Sequence, residues 1–190
     1  MDADYSVELG ADDPVLDFPW SDPDGRVRYY DLKQNPELLE QLEEAREFRE
    51  LAEFLRSING PRSLFESAKC DAWISDEIHP EEDIFRARHK MSAYIDFVFA
   101  EAKQRFSLAA HESFARQLVE LLRRAPETRS SVETIVRRCF FAGTGDPQAG
   151  FYFTLYVNGF GDDKDEARKS WGIAMTLVAT AIGQLARASL

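Results

Sequence analysis

Three histidines and two cysteines stand among 34 carboxylates, and their spacing decides what chemistry they support. His111-Glu112 opens like the helix of a zinc protease, which needs a second histidine four residues on, where this chain has Ala115. A lone histidine cannot hold a metal, so that reading fails. His89 falls on the apolar parity of an alternating run, the place of a hydrogen-bonded core or edge histidine. The loop Asp76-Glu77-Ile78-His79-Pro80-Glu81-Glu82-Asp83 gathers carboxylates of the kind hard cations use. It lacks calcium-loop spacing and the central glycine, and reads as a solvated hairpin tip. Cys70 and Cys139 have no Cys-x-x-Cys partner and read as reduced, buried, small apolar residues. On neighbouring strands they would come within reach of cross-linking. Gly143-Thr144-Gly145 precedes a strand rather than a helix, so no helix N-terminus waits for a phosphate. No Gly-x-Ser-x-Gly elbow occurs. No catalytic residue, metal or cofactor is assigned, and the sequence leans away from an enzyme.

The pattern with most chemical content is an alternation. Between Phe85 and Phe99 apolar residues hold one parity, and Arg86, Arg88, Lys90, Ser92, Tyr94 and Asp96 hold the other. Side chains alternate between the two faces of a strand. Arg86, Arg88, Lys90 and Tyr94 are therefore expected on one exposed sheet face. A second hairpin alongside would extend that face with Arg138 (or Arg137), Tyr152 and Tyr156, and Trp73 would stand beside it. Cations and rings on an open face suit acidic peptides, or single-stranded nucleic acid through stacking. The same residues also suit an ordinary solvated face with cross-strand pairs.

The elements that must position these side chains follow from period and punctuation. Asn35-Pro36-Glu37 starts a helix, carried by apolar residues from Leu38 to Ile58 and stopped at Asn59-Gly60-Pro61. Alternation then predicts a hairpin from Ala68–Ser75 and Phe85–Phe99. Ser107 caps a second helix ending near Pro126. Val132–Phe141 and Phe151–Val157 form a second hairpin, with Phe151, Phe153, Leu155 and Val157 inward. Asn158-Gly159-Phe160-Gly161 turns into a last helix, capped by Asp162 or Asp163 and apolar nearly all round. The expected fold is α+β, one domain over residues 26–190. A mostly antiparallel sheet of four or five strands carries about three helices on one face, in the order α-ββ-α-ββ-α.

Composition bounds the rest. The chain has 190 residues, 44% of them hydrophobic and 30% charged, which excludes collagen-like, disulfide-scaffold and wholly disordered classes. Of the net charge of −11, residues 1–25 contribute eight acids and no base. That arm repels phosphate backbones and anionic lipid, so neither nucleic acid nor membrane is an expected partner. Its charge and prolines describe a solubilising, partly disordered leader. Val15, Leu16, Phe18 and Trp20 nevertheless expect partial docking on the body, and the arm is itself a candidate ligand for the sheet face. Asp22-Pro23-Asp24-Gly25 is a turn, with a short strand from Arg26 to Tyr30 beyond it. No secretory leader is apparent, and residues 170–186 are too polar to span a membrane, so the expected address is cytoplasmic.

The order of elements over residues 35–187 resembles that of type III secretion chaperones. The resemblance implies a small acidic cytoplasmic dimer that holds extended client segments. The small residues Gly172, Thr176, Thr180 and Gly183 on the last helix fit a homodimer contact. The expected function is thus a non-catalytic protein-binding or chaperone-like module. The alternative is a small-molecule sensor or enzyme, with a pocket between sheet and last helix served by His89, Tyr94, Cys70 and the arginines.

Overall fold

The computed structural model describes residues 1–25, 28–76, 78, 84–143 and 145–188. Its six strands are β1 (Asp2–Glu8), β2 (Val15–Phe18), β3 (Phe65–Ser75), β4 (His89–Phe99), β5 (Ser130–Phe141) and β6 (Gln148–Gly161). The helices are α1 (Glu43–Glu47), α2 (Arg49–Ile58), α3 (Ala102–Arg105), α4 (Leu108–Arg123) and α5 (Lys164–Ala188), with a 3-10 turn over Pro36–Gln41. The fold is α+β, and its two antiparallel ribbons, β3–β4 and β5–β6, join through β4 and β6.

The sheet is larger and less uniform than the alternation alone predicts. Its order is β1-β5-β6-β4-β3, and β2 pairs with β5 beyond β1. Both arm strands run parallel to β5, which makes the sheet mixed. The acidic arm is therefore sheet rather than a loose leader. Residues 2–8 alternate, with Ala3 buried in the main core and Asp2 and Asp4 exposed. The turn after it forms as expected: Gly25 adopts φ 66° and its N–H reaches the Asp22 carbonyl at 3.0 Å. Beyond it Ser21 bridges Arg28, while residues 26 and 27 of the expected short strand lie outside the described residues.

The first helix is not continuous. Leu42 and Phe48 adopt extended dihedrals and divide it into a 3-10 turn, α1 and α2. The break at Phe48 drops its ring into the core, 5.9 Å from that of Trp171, and burial outweighs the local preference to stay helical. The expected strand from Phe85 is shorter as well. Residues 84–88 form turn and bend, and β4 begins only at His89. Residues 77 and 79–83 of the acidic loop, and Thr144 of the second hairpin loop, lie outside the described residues.

The helical layer packs on one face of the sheet. Trp171, Met175 and Val178 of α5 lie in one core with Met91, Ile95, Phe153 and Leu155 of the sheet, flanked by Leu51 and Leu55 of α2 and Leu118 and Leu122 of α4. Gly159 and Gly161 belong to β6 rather than to a turn. A Cβ on Gly159 would stand 2.1 Å from the Trp171 backbone nitrogen, so glycine here is what lets α5 seat directly on the strand. Asp163 caps α5, its Oδ1 accepting the Glu166 N–H at 2.8 Å.

Candidate functional site

The face of the sheet away from the helices has three zones. At one end the arm folds over it. Leu16 and Phe18 join Ala68, Val98, Cys139, Phe141 and Tyr152 in a second small core, with Trp20 and Tyr29 against it. Trp20 Nε1 donates to the Ala68 carbonyl at 2.6 Å, and the Phe18 and Tyr29 rings meet at 4.8 Å. Arg105 lies over Phe18 and Phe141, at 5.6 and 5.1 Å, and donates to Glu66. At the other end Phe85 packs on Phe160 at 5.1 Å.

The middle zone is open. Strand register lays two transverse rows across it. One reads Asp71, Tyr94, Tyr156, Glu133, Asp4. The next reads Trp73, Ser92, Asn158, Ser131, Asp2. The second row forms the floor. Ser92 donates to Asn158 Oδ1 at 2.7 Å, and Asn158 Nδ2 donates to Ser131 Oγ at 3.2 Å. These short, mutually bonded side chains leave a groove of about 450 Å³ between Trp73, Tyr156 and Asp2. Trp73 is 40% exposed. Its ring centroid lies 6.5 Å from that of Tyr94, which lies 6.3 Å from Tyr156.

The electrostatics of the face run opposite to the expectation. Arg86 and Arg88 lie before β4, outside the open middle of the face: Arg86 has φ 52°, and the Arg88 N–H bonds the Gly161 carbonyl at 3.1 Å at the end of the β4–β6 ladder. Arg138 falls on the opposite parity and donates to the Gly10 carbonyl. Arg137 is on the face but buried, bonded to Glu8 at 2.8 Å and to Thr154 at 3.0 Å. Tyr152 is buried beneath the arm. Of the expected set, Lys90, Tyr94, Trp73 and Tyr156 remain together. Asp71 keeps the parity that the alternation gives it, beside Trp73; the carboxylates that the expected face did not include are Asp2, Asp4 and Glu133. Burial first, and then the Glu8 and Asp4 carboxylates, push the Glu133 carboxyl up. Beneath the rings, Thr154 donates to Asp96 at 2.7 Å, and burial pushes that carboxyl up to about 6.

The other chemical candidates separate. His111 is fully buried, its ring 4.6 Å from that of Phe153, with Nδ1 2.8 Å from the Ser107 carbonyl. Burial lowers it to about 4, so it is a neutral core ring at pH 7. His89 Nδ1 bonds Asp76 at 2.9 Å, and Asp76 also takes Lys164 at 3.0 Å. Cys70 lies on β3 and Cys139 on β5, with β4 and β6 between them, so cross-linking within the fold is ruled out. Burial pushes both thiols up to about 12. His89, Tyr94 and Cys70 do not converge on α5, whose sheet-facing side is packed by Trp171, Ala174 and Val178. Among the described residues no group of three potential ligands is placed to hold a metal ion, and no helix is long and apolar enough to cross a membrane.

In comparisons with known proteins, no family model, no curated protein and no solved structure matches this chain.

Proposed function

We propose that this chain is a non-catalytic protein-binding module of the cytoplasm, chaperone-like in receiving an extended polypeptide segment on the open middle of its sheet face. One observation carries the reading: the Trp73 and Tyr156 rings line a groove on the open middle of the face, with the Tyr94 ring standing between them in the Tyr156 row. Aromatic side chains at an open surface give contact area at low entropic cost, the composition of recognition sites. The two free thiols fit a reducing compartment.

Panning a random peptide library on the immobilised full-length protein tests this. Selected peptides should bind the wild type and lose at least tenfold in affinity to Trp73→Ala or Tyr156→Ala. Peptides that bind both variants as well as the wild type would place recognition elsewhere.

Homodimerisation is proposed through α5. The groove of about 390 Å³ beside it is lined by Thr176, Thr180 and Gly183 from α5 and by Glu50 and Glu53 from α2. A single monomer mass in sedimentation at high micromolar concentration would remove it.

A further inference from the structure

The chain shows how it holds its own cations. Arg105 is held between Glu66 and the rings of Phe18 and Phe141. Arg168 makes a two-pronged contact with Glu50, at 2.9 and 3.1 Å, and lies 5.4 Å from the Phe48 ring. Both are the same device: a guanidinium on an aromatic face with a carboxylate at its edge.

The open sheet row repeats the receiving half of that device. Tyr94 and Tyr156 stand side by side, with Asp71 across the strand from one and Glu133 from the other, and Asp4 beyond Glu133. Directly opposed residues on neighbouring strands stand roughly 5 Å apart, so one bound side chain can meet Tyr156 with Glu133 or Tyr94 with Asp71, while the two carboxylates, three strands apart, lie about 14 Å from each other. Arg28 shares the hollow beside Asp71 and Tyr94, and the other cations nearby are engaged. Arg137 is bonded to Glu8 and Thr154, Lys69 sits 5.0 Å over Trp20, and Lys90 at the groove's end has a contact of its own. Asp4 is already paired with Arg123 at 3.4 Å; an acidic segment would meet Asp2, Asp71 and Glu133, and a basic one would be complemented by them.

We infer that the occupant of this face is an arginine-bearing extended segment of a partner protein, a guanidinium seated on Tyr156 beside Glu133 and a second on Tyr94 beside Asp71. The inference rests on the reading of the face as a segment-binding surface. It adds the partner's chemistry.

Fluorescence anisotropy with three labelled twelve-residue peptides tests it on the full chain: alternating arginine–serine, glutamate–serine and glycine–serine. The arginine peptide should bind at least tenfold more tightly than the other two. Glu133→Gln and Tyr156→Ala should each weaken it about three- to tenfold. Glu120→Gln, the same charge change on the exposed side of α4, should leave it unchanged. Equal weakening by Glu120→Gln would reduce the effect to net charge and overturn the inference. Preference for the glutamate or glycine peptide, lost in Tyr156→Ala, would overturn the inference and leave segment binding standing. Binding of none of the three, with no library peptide sensitive to Trp73→Ala, would overturn both.

Discussion

Two buried ionisable residues pull stability in opposite directions with pH. Asp96 titrates near 3.9 in an unfolded chain and at about 6 here, because burial disfavours its charged form. A raised folded value contributes stability that is complete below about pH 3.9 and lost as pH rises through about 6. His111 is lowered by burial to about 4, against roughly 6.5 unfolded. Its contribution is complete above about pH 6.5 and lost as pH falls through about 4. The two slopes oppose each other between about pH 4 and 6. Asp96→Asn keeps an acceptor for Thr154 and removes one of them. Denaturant titrations from pH 4 to 7 should show the variant gaining on the wild type by up to about 3 kcal/mol. A pH-independent difference would contradict the burial of Asp96.

Among the elements, the ribbons were written locally and the breaks were not. The alternation of Phe151 to Val157 puts Phe153 and Leu155 inward as expected, and Ser107 caps α4 as expected, accepting the Ala110 N–H. Both depend on neighbours in sequence. The interruption at Phe48 depends on where Trp171 lies, more than 120 residues on, which no local pattern encodes. The arm carried a readable signal, since Asp2, Asp4, Ser6 and Glu8 alternate with Ala3, Tyr5 and Val7. Its parallel partner, β5, is the part no period reveals, and with it went the sign of charge on the sheet face. Two glycines show what packing adds. Gly159→Ala places a methyl group against the α5 backbone and should cost about 3 kcal/mol or more. Gly183→Ala, with nothing within 4 Å of the new methyl, should stabilise by up to about 1 kcal/mol through helix propensity. Thermal melts of the pair measure both, and equal effects would contradict the seating of α5 on β6.

On the scale of the whole molecule, the acidic arm is structural and electrostatic at once. Its strands cover one edge of β5, an element that would otherwise offer unpaired backbone groups to another chain. Leu16 and Phe18 roof Cys139 and Tyr152, and Asp2 and Asp4 supply one wall of the open groove. Removing residues 1–25 therefore does three things together. It frees the β5 edge, uncovers the second core, and brings the net charge from −11 to −3, which weakens the repulsion between molecules just as an adhesive edge appears. The truncated chain should melt at a lower temperature and associate in size-exclusion chromatography, and its Cys139 should react with Ellman's reagent. In the intact chain burial holds that thiol up at about 12, so it should stay unreactive. A synthetic peptide of residues 1–25 added in trans should restore protection of Cys139, because its pairing with β5 and its Phe18 anchor need no covalent link to the body. A truncated chain that keeps the intact chain's oligomeric state with Cys139 still protected would show that the arm lies on the sheet without holding it.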